Sequence, residues 1–338
     1  MVAMTVTQPP IIDAQGLFKD ASKRHVTVDP EEFGSVAEQV EEASRTWGVF
    51  RITNHGFDEN ILKETVEMVQ EFFDLPDETK SFVERTANNP SGWSNSELTK
   101  QALDLKEIFD YCYIPHRDKP DDHPSNRGID GWNRFMDSRM REVFLRYFDH
   151  VEECCYRLLQ VLCMALDIDY EYAKRLFTGE SCGFCRMNFY KGLKEIENDG
   201  QRYGIHDHTD AGFFTILWTS MARGIEFYHD GRWVTLEPLA GSFTINVGDM
   251  CQVLTNGLFA APVHRVIIKE DVRRYSMAFF FNPSPKARIK PIEPCIQKSG
   301  RPSMYKDISW SEFRNQRFAG DYADEGKEVQ ISDYLHHE

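Results

Sequence analysis

The reading of this 338-residue chain turns on His208-Thr209-Asp210, on His264, and on Arg274-Tyr275-Ser276. His208 and Asp210 are two apart, so on an extended strand their side chains leave the same face. Asp210 and His264 lie 54 positions apart (264 − 210 = 54), room for several antiparallel strands to bring the chain back. Two imidazoles and one carboxylate gathered there can occupy one face of an octahedral metal and leave the other three positions open. Arg274 follows His264 by ten residues (274 − 264 = 10) and shares a strand face with Ser276. That pair offers a guanidinium fork and a hydroxyl to a carboxylate near the metal. His-x-Asp alone would say little in a chain with eleven His, but the ordered set at this spacing says much more.

Working outward, the apolar period becomes two after Cys182 and stays so, with short strands and Gly turns, to Pro283. This predicts a jelly roll whose inner face holds the metal. Asp29 and Pro30 start a helix that keeps Phe33, Val36, Ala37, Val40 and Trp47 in phase. A short strand around Phe50 and Ile52 ends in the turn Asn54-His55-Gly56, and a second helix begins near Asp58. Residues 88 to 103 are polar and turn-rich and read as a mobile loop. A long helical stripe runs from Gly131 to about Leu166 through Trp132, Met136, Met140 and Phe144, and a last helix lies near Trp310 to Phe318. The expected fold is mainly β with α, a double-stranded β-helix (jelly-roll) core in a helical shell. It forms one domain over 1–338: shell 1–180, core 181–285, C-terminal helix and tail 286–338.

A chain of this length with 41% hydrophobic residues can bury a large core. The net charge of −15 disfavours DNA, RNA or an anionic membrane as partner. No stretch has the length of a membrane span, and Met1 to Gln8 has neither a basic nor an apolar run. The eight Cys are sparse and sit mostly in apolar stretches, as reduced core thiols of a cytoplasmic protein would. The lone Cys182-Gly-Phe-Cys185 reads as strand packing rather than a redox or zinc site. A monomer acting on a small molecule is expected.

A two-His, one-carboxylate face with open positions is the arrangement of non-haem Fe(II) oxygenases. The full set resembles the iron(II)- and 2-oxoglutarate-dependent dioxygenases, in the branch similar to isopenicillin N synthase and the plant flavonoid and gibberellin oxidases. Further motifs carry the resemblance: Pro10-Ile11-Ile12-Asp13, Gly48-Val49-Phe50, Asn54-His55-Gly56, Phe72-Phe73 with Leu75-Pro76, Arg186-Met187-Asn188-Phe189-Tyr190, and Asn256-Gly257 before His264-Arg265-Val266. The chain departs from plant relatives at Tyr190-Lys191-Gly192, where they run Tyr-Pro-Pro-Cys, and in the charged insertion Lys194 to Arg202. Ala260-Ala261-Pro262 also replaces the small polar residues usual before the second metal His.

The resemblance implies Fe(II) on His208, Asp210 and His264. It implies 2-oxoglutarate chelating that iron, with its C5 carboxylate on Arg274 and Ser276 and with Asn188 and Tyr190 lining its pocket. Reaction with O2 would give succinate and CO2, coupled to hydrogen abstraction from a small, amino-acid-derived substrate. Hydroxylation, desaturation or ring closure would follow. Asp210 argues against halogenation, since halogenases of this type lack the carboxylate. The chain is also similar to algal kainoid synthases, which close a ring on an N-prenylated glutamate. Two other readings stay open: a 2-oxoglutarate-independent oxidase of the isopenicillin N synthase type, and a jelly-roll protein that holds a metal without oxygen chemistry.

Four residues are candidates for the substrate side. Asp110 should turn away from the aromatic face of Phe109, Tyr111 and Tyr113, either toward a substrate ammonium or toward solvent. His206 shares the strand parity of His208 and would line the pocket or support the ligands. Phe280 continues the inward set Arg274, Ser276, Ala278. Trp93 would cover the substrate or anchor its loop. Arg186, on the face of Asn188 and Tyr190, is expected in a buried ion pair.

Overall fold

The computed structural model describes residues 8–24, 26–99, 102–128, 131–178, 183–196, 202–322 and 329–336. The N-terminal part contributes β1 (Ile11–Asp13), α1 (Pro30–Thr46), β2 (Val49–Thr53), α2 (Glu59–Phe73) and α3 (Asp77–Lys80). Next come β3 (Gly92–Ser94), the small hairpin β4 (Leu98–Thr99) and β5 (Ala102–Leu103), β6 (Glu107–Cys112), α4 (Ser138–Leu166) and α5 (Tyr170–Arg175). The strand-rich part runs β7 (Phe184–Tyr190), β8 (Tyr203–His208), β9 (Phe214–Thr219), β10 (Ile225–His229), β11 (Arg232–Thr235), β12 (Phe243–Val247), α6 (Asp249–Leu254), β13 (His264–Ile267) and β14 (Arg274–Phe281). It closes with β15 (Arg288–Ile289), α7 (Glu293–Ser299), β16 (Ile308–Ser309) and α8 (Trp310–Tyr322).

Two sheets make the jelly roll. The larger has eight strands in the order β1-β2-β12-β9-β14-β7-β6-β3, and the smaller has four, β11-β10-β13-β8. Alternation builds both faces of β14. Tyr275, Met277, Phe279 and Phe281 go to the main core beneath α4, and Arg274, Ser276, Ala278 and Phe280 face the space between the sheets. Strands β1, β2, β3 and β6 come from the first 180 residues and extend the larger sheet at both edges. Cys112, Cys154, Cys155, Cys163, Cys185, Cys251 and Cys295 are buried and reduced. Cys182 and residues 197–201 of the charged insertion lie outside the described residues.

The helix starts follow side-chain chemistry. Asp29 accepts the Glu31 N–H (2.9 Å) with Pro30 in the first turn, and Asp58 accepts from Asn60 and Ile61. The long helix starts later than its apolar stripe suggests, at Ser138, where Asp137 accepts the Met140 N–H at 2.8 Å. Trp132 and Met136 therefore precede it. The segment before the cap is held otherwise: Gly131 has φ +82°, and Asn133 bonds both the N–H and C=O of Cys112. The segment 88–103 is not an open loop. Trp93 pairs with Phe109 across β3 and β6, is buried, and donates its indole N–H to Glu107 at 3.0 Å. No helix among the described residues is long and apolar enough to cross a membrane.

Candidate metal centre

His264 on β13 stands directly opposite His208 on β8, so the two imidazoles meet, ring centroids 4.2 Å apart. Each ring turns the same way. His208 Nδ1 bonds the His206 carbonyl (2.8 Å) and His264 Nδ1 bonds the Pro262 carbonyl (3.1 Å). A carbonyl can only accept, so the proton sits on Nδ1 and both Nε2 lone pairs are free. They point toward Asp210: His264 Nε2 is 3.6 Å and His208 Nε2 3.9 Å from its Oδ1. The other oxygen, Oδ2, is engaged by the Thr215 hydroxyl (2.7 Å) and the Asn246 amide (3.4 Å), which leaves Oδ1 to face the imidazoles. All three ligand atoms lie within 4.8 Å of one another, a set that fits a divalent ion on one facial triad. Burial, and next the neighbouring His264, push the His208 pKa down to about 3, so that ring is neutral and ready to bind at ordinary pH.

Beside this centre runs a cavity of about 130 Å³ that opens to solvent. Its depth is set by the β14–β7 register, which pairs Arg274 with Tyr190, Ser276 with Asn188, Ala278 with Arg186 and Phe280 with Phe184. Arg274 is 4% exposed, and neither its Nε nor its Nη1 meets an acceptor. Its guanidinium lies over the Tyr190 ring, 4.9 Å from the centroid. Burial lowers its pKa, with the Tyr190 hydroxyl opposing. Two glycines make room for this end. A Cβ on Gly224 would come within 3.2 Å of Arg274 Cδ, and one on Gly204 within 2.7 Å of the Tyr190 ring. An unpaired buried cation beside a hydroxyl and an amide fits an incoming carboxylate.

The substrate candidates fare differently. Phe280 lines the cavity and stacks on Phe184 at 4.6 Å. Asp110 does not reach it. Directly across β6 and β7 it forms a two-armed pair with Arg186 (2.8 and 2.7 Å), so it neither awaits an ammonium nor faces solvent. Trp93 is fixed in the main core by the contacts described above, so it anchors its segment and does not line the cavity. His206 fails by parity: the β8–β13 register slips between the His264 and Val266 pairings, and its ring turns to Asp104 (2.8 Å) and stacks on Tyr203. Its carbonyl, not its ring, supports the metal ligand.

Residues that the sequence reading did not single out complete the wall. Glu97 is buried and contacts Arg85 (3.1 Å), Lys106 (2.5 Å) and Arg186 (2.8 Å). Burial opposes its ionisation, yet those three cations hold its pKa far below the usual carboxylate range. Thr209, between the two ligands, takes the Arg317 guanidinium of α8 on its carbonyl and hydroxyl, both at 3.2 Å. Only the tertiary pairing reveals these contacts, although a Lys106 and a Glu97 flanking apolar strands carry a faint signal of burial in pairs.

Comparison with known proteins agrees with this geometry. Residues 182–283 match the sequence profile of the 2OG-Fe(II) oxygenase superfamily, and residues 10–137 match that of the N-terminal region described as "non-haem dioxygenase in morphine synthesis". The chain belongs to the 2OG-Fe(II) oxygenase superfamily, as a member of its 2-oxoglutarate-dependent dioxygenases. It is 29% identical over 316 residues to jasmonate-induced oxygenase 2 of Arabidopsis thaliana, covering 92% of this chain and 80% of that protein. It is likewise 29% identical over 335 residues to oxoglutarate-dependent flavonoid 7-O-demethylase 1 of Ocimum basilicum, covering 98% and 81%. Among solved structures, JOX2 in complex with 2OG, Fe and JA superposes with a TM-score of 0.72 at 26% identity, over 91% of this chain and 94% of that one. The fold is also that of Neurospora crassa T7H with alpha-KG, at a TM-score of 0.76 and 21% identity, over 93% and 97% of the chains.

Proposed function

We propose that the protein couples oxidation of a small organic substrate to decarboxylation of 2-oxoglutarate, with Fe(II) held by His208, Asp210 and His264. One observation carries this: three free ligand atoms converge beside a buried guanidinium that has no anion of its own among the described residues. Bound iron supplies O2 activation and abstraction of a hydrogen atom from a C–H bond. The chain's residues do the rest. The Nδ1–carbonyl bonds fix both imidazoles with Nε2 toward the ion, and Thr215 and Asn246 hold Asp210 with one oxygen free. Arg274, with Ser276 and Tyr190, would take the distal carboxylate of 2-oxoglutarate and so orient its other end, while Asn188 borders it. The apolar end at Phe184 and Phe280 would aim the substrate and keep water away. Hydroxylation, desaturation and ring closure all begin with the same abstraction.

A cavity enclosed between the two sheets suits a metabolite rather than a polymer. The net charge of −15 supports the absence of a nucleic-acid partner, and free buried thiols support a reducing compartment such as the cytoplasm. Binding by calorimetry tests the assignment. Mn(II) and then 2-oxoglutarate should bind the wild type, while His208→Ala, Asp210→Ala and His264→Ala should each lose the metal and, with it, tight 2-oxoglutarate binding. Wild-type metal affinity in any of the three variants would exclude that residue from the centre.

A further inference from the structure

The cavity wall between the cosubstrate end and the apolar end is unevenly charged. Lys106, the residue just before β6, lines the cavity with its side chain 2% exposed. Its ammonium has three N–H donors. Glu97 takes one at 2.5 Å and Asp104 another at 3.1 Å, and no third protein acceptor is present among the described residues. Burial works against the charge, but the two carboxylates outweigh it and hold the Lys106 pKa above its ordinary value. Arg186 lines the same wall opposite Ala278, midway along the β7–β14 column.

Sorting the charges gives a sign. Among the described residues, the acidic ones lining the cavity are Glu97 and Asp210, and Asp210 belongs to the metal centre. Arg274 faces the cosubstrate, and Arg317 is bonded to the Thr209 and Val329 carbonyls. On the surface facing the cavity, Lys106 and Arg186 stand against Glu97, one more cation than anion, within an ion-pair cluster that Arg85, Asp104 and Asp110 bring to neutrality behind it. The compensating carboxylates, Asp104 and Asp110, do not line the cavity. Trp310 adds a buried indole N–H that has no acceptor and lines the same space. The unpartnered acceptors, Asn188 Oδ1 and Asn246 Oδ1, are neutral amide oxygens that suit a hydroxyl or water as well as an amine. An amine would meet no free carboxylate here. An anion would meet an ammonium with a donor to spare. Past that ledge the wall is apolar, with Phe184 stacked on Phe280 and Phe318 edge-on at 6.5 Å.

We propose that the substrate is an organic carboxylate with an otherwise apolar body, its carboxylate anchored at Lys106 beside Arg186 and its body against Phe184, Phe280 and Phe318. This inference rests on the oxygenase reading above and narrows its substrate class. Electrostatic complementarity at a desolvated site acts mainly as selectivity, rejecting the neutral and cationic analogues.

The test is calorimetric and needs no turnover. Phenylacetate and octanoate, each beside its methyl ester and the corresponding primary amine, are titrated into Mn(II)-loaded protein already saturated with 2-oxoglutarate. The acids should bind at least about tenfold more tightly than esters or amines, the scale of one hydrogen bond to a charged group. Lys106→Gln should reduce acid binding by about that factor, with ester and 2-oxoglutarate affinities unchanged, and Lys106→Arg should restore most of it. The wild-type comparison decides even where Lys106→Gln folds poorly. Equal binding of esters or amines, or no binding by either acid, overturns the proposal. So does a Lys106→Gln defect confined to 2-oxoglutarate, which would move Lys106 to the cosubstrate. Failure of 2-oxoglutarate to bind the wild-type Mn(II) protein would instead overturn the oxygenase reading beneath it.

Discussion

Burial leaves Arg274 with two N–H sites and no acceptor for them, a state that costs free energy until an anion arrives. A planar fork meets a carboxylate with two parallel bonds, whereas Lys supplies a point charge. Losing one charge-assisted bond costs roughly 1.5–3 kcal/mol, or about tenfold to a hundredfold in affinity. Arg274→Lys should therefore raise the 2-oxoglutarate Kd by that order, Arg274→Ala by more, and Ser276→Ala by less. Titration of the three Mn(II)-loaded variants reads this, and an unchanged Kd in Arg274→Lys removes the residue from the cosubstrate. A second residue-scale prediction concerns pH. Burial lowers the His55 pKa to about 4, against 6.5 for an ordinary imidazole. Between those values the unfolded chain binds more protons than the folded one, so stability falls as pH drops from about 6.5 to about 4 and then levels for this group. The shift corresponds to a loss of about 3 kcal/mol. Urea melts across that range should show the slope, and His55→Gln should flatten it; a slope unchanged in the variant would assign the acid limb elsewhere.

At the scale of elements, position along a strand does most of the work, and it explains what the sequence could and could not disclose. The His208–Asp210 spacing and the inward column Arg274, Ser276, Ala278, Phe280 were legible because strand parity is a local property. His206 misleads for the same reason. Parity holds only while register does, and the slip opposite Val266 is set by the partner strand. Asp110 could be read as facing away from the aromatics, but not as opposite Arg186, because β6–β7 pairing joins segments 76 residues apart. The start of α4 was missed because Trp132 and Met136 continue the apolar phase past the true cap at Asp137. That cap offers a control. Asp137→Ala should destabilise the protein by about 1 kcal/mol while leaving metal and 2-oxoglutarate affinities unchanged. A fall in 2-oxoglutarate affinity would mean that α4 and the site are coupled more tightly than their packing suggests.

Across the whole molecule, the jelly roll closes on its own apolar core, and the metal ligands sit on the inner face of the smaller sheet and the loop after it. Folding should therefore not depend on the ion. Protein treated with a chelator should still unfold in one cooperative transition and lose only the increment that ligand binding contributes; a non-cooperative melt would show the centre to be structural. The most direct test of the account is succinate released by the Fe(II)-loaded enzyme under O2, counted against 2-oxoglutarate consumed, in the wild type and in Arg274→Lys. One succinate per 2-oxoglutarate is expected, none without iron, and a 2-oxoglutarate KM about tenfold to a hundredfold higher in the variant. Iron-dependent O2 consumption that ignores 2-oxoglutarate and yields no succinate would contradict it.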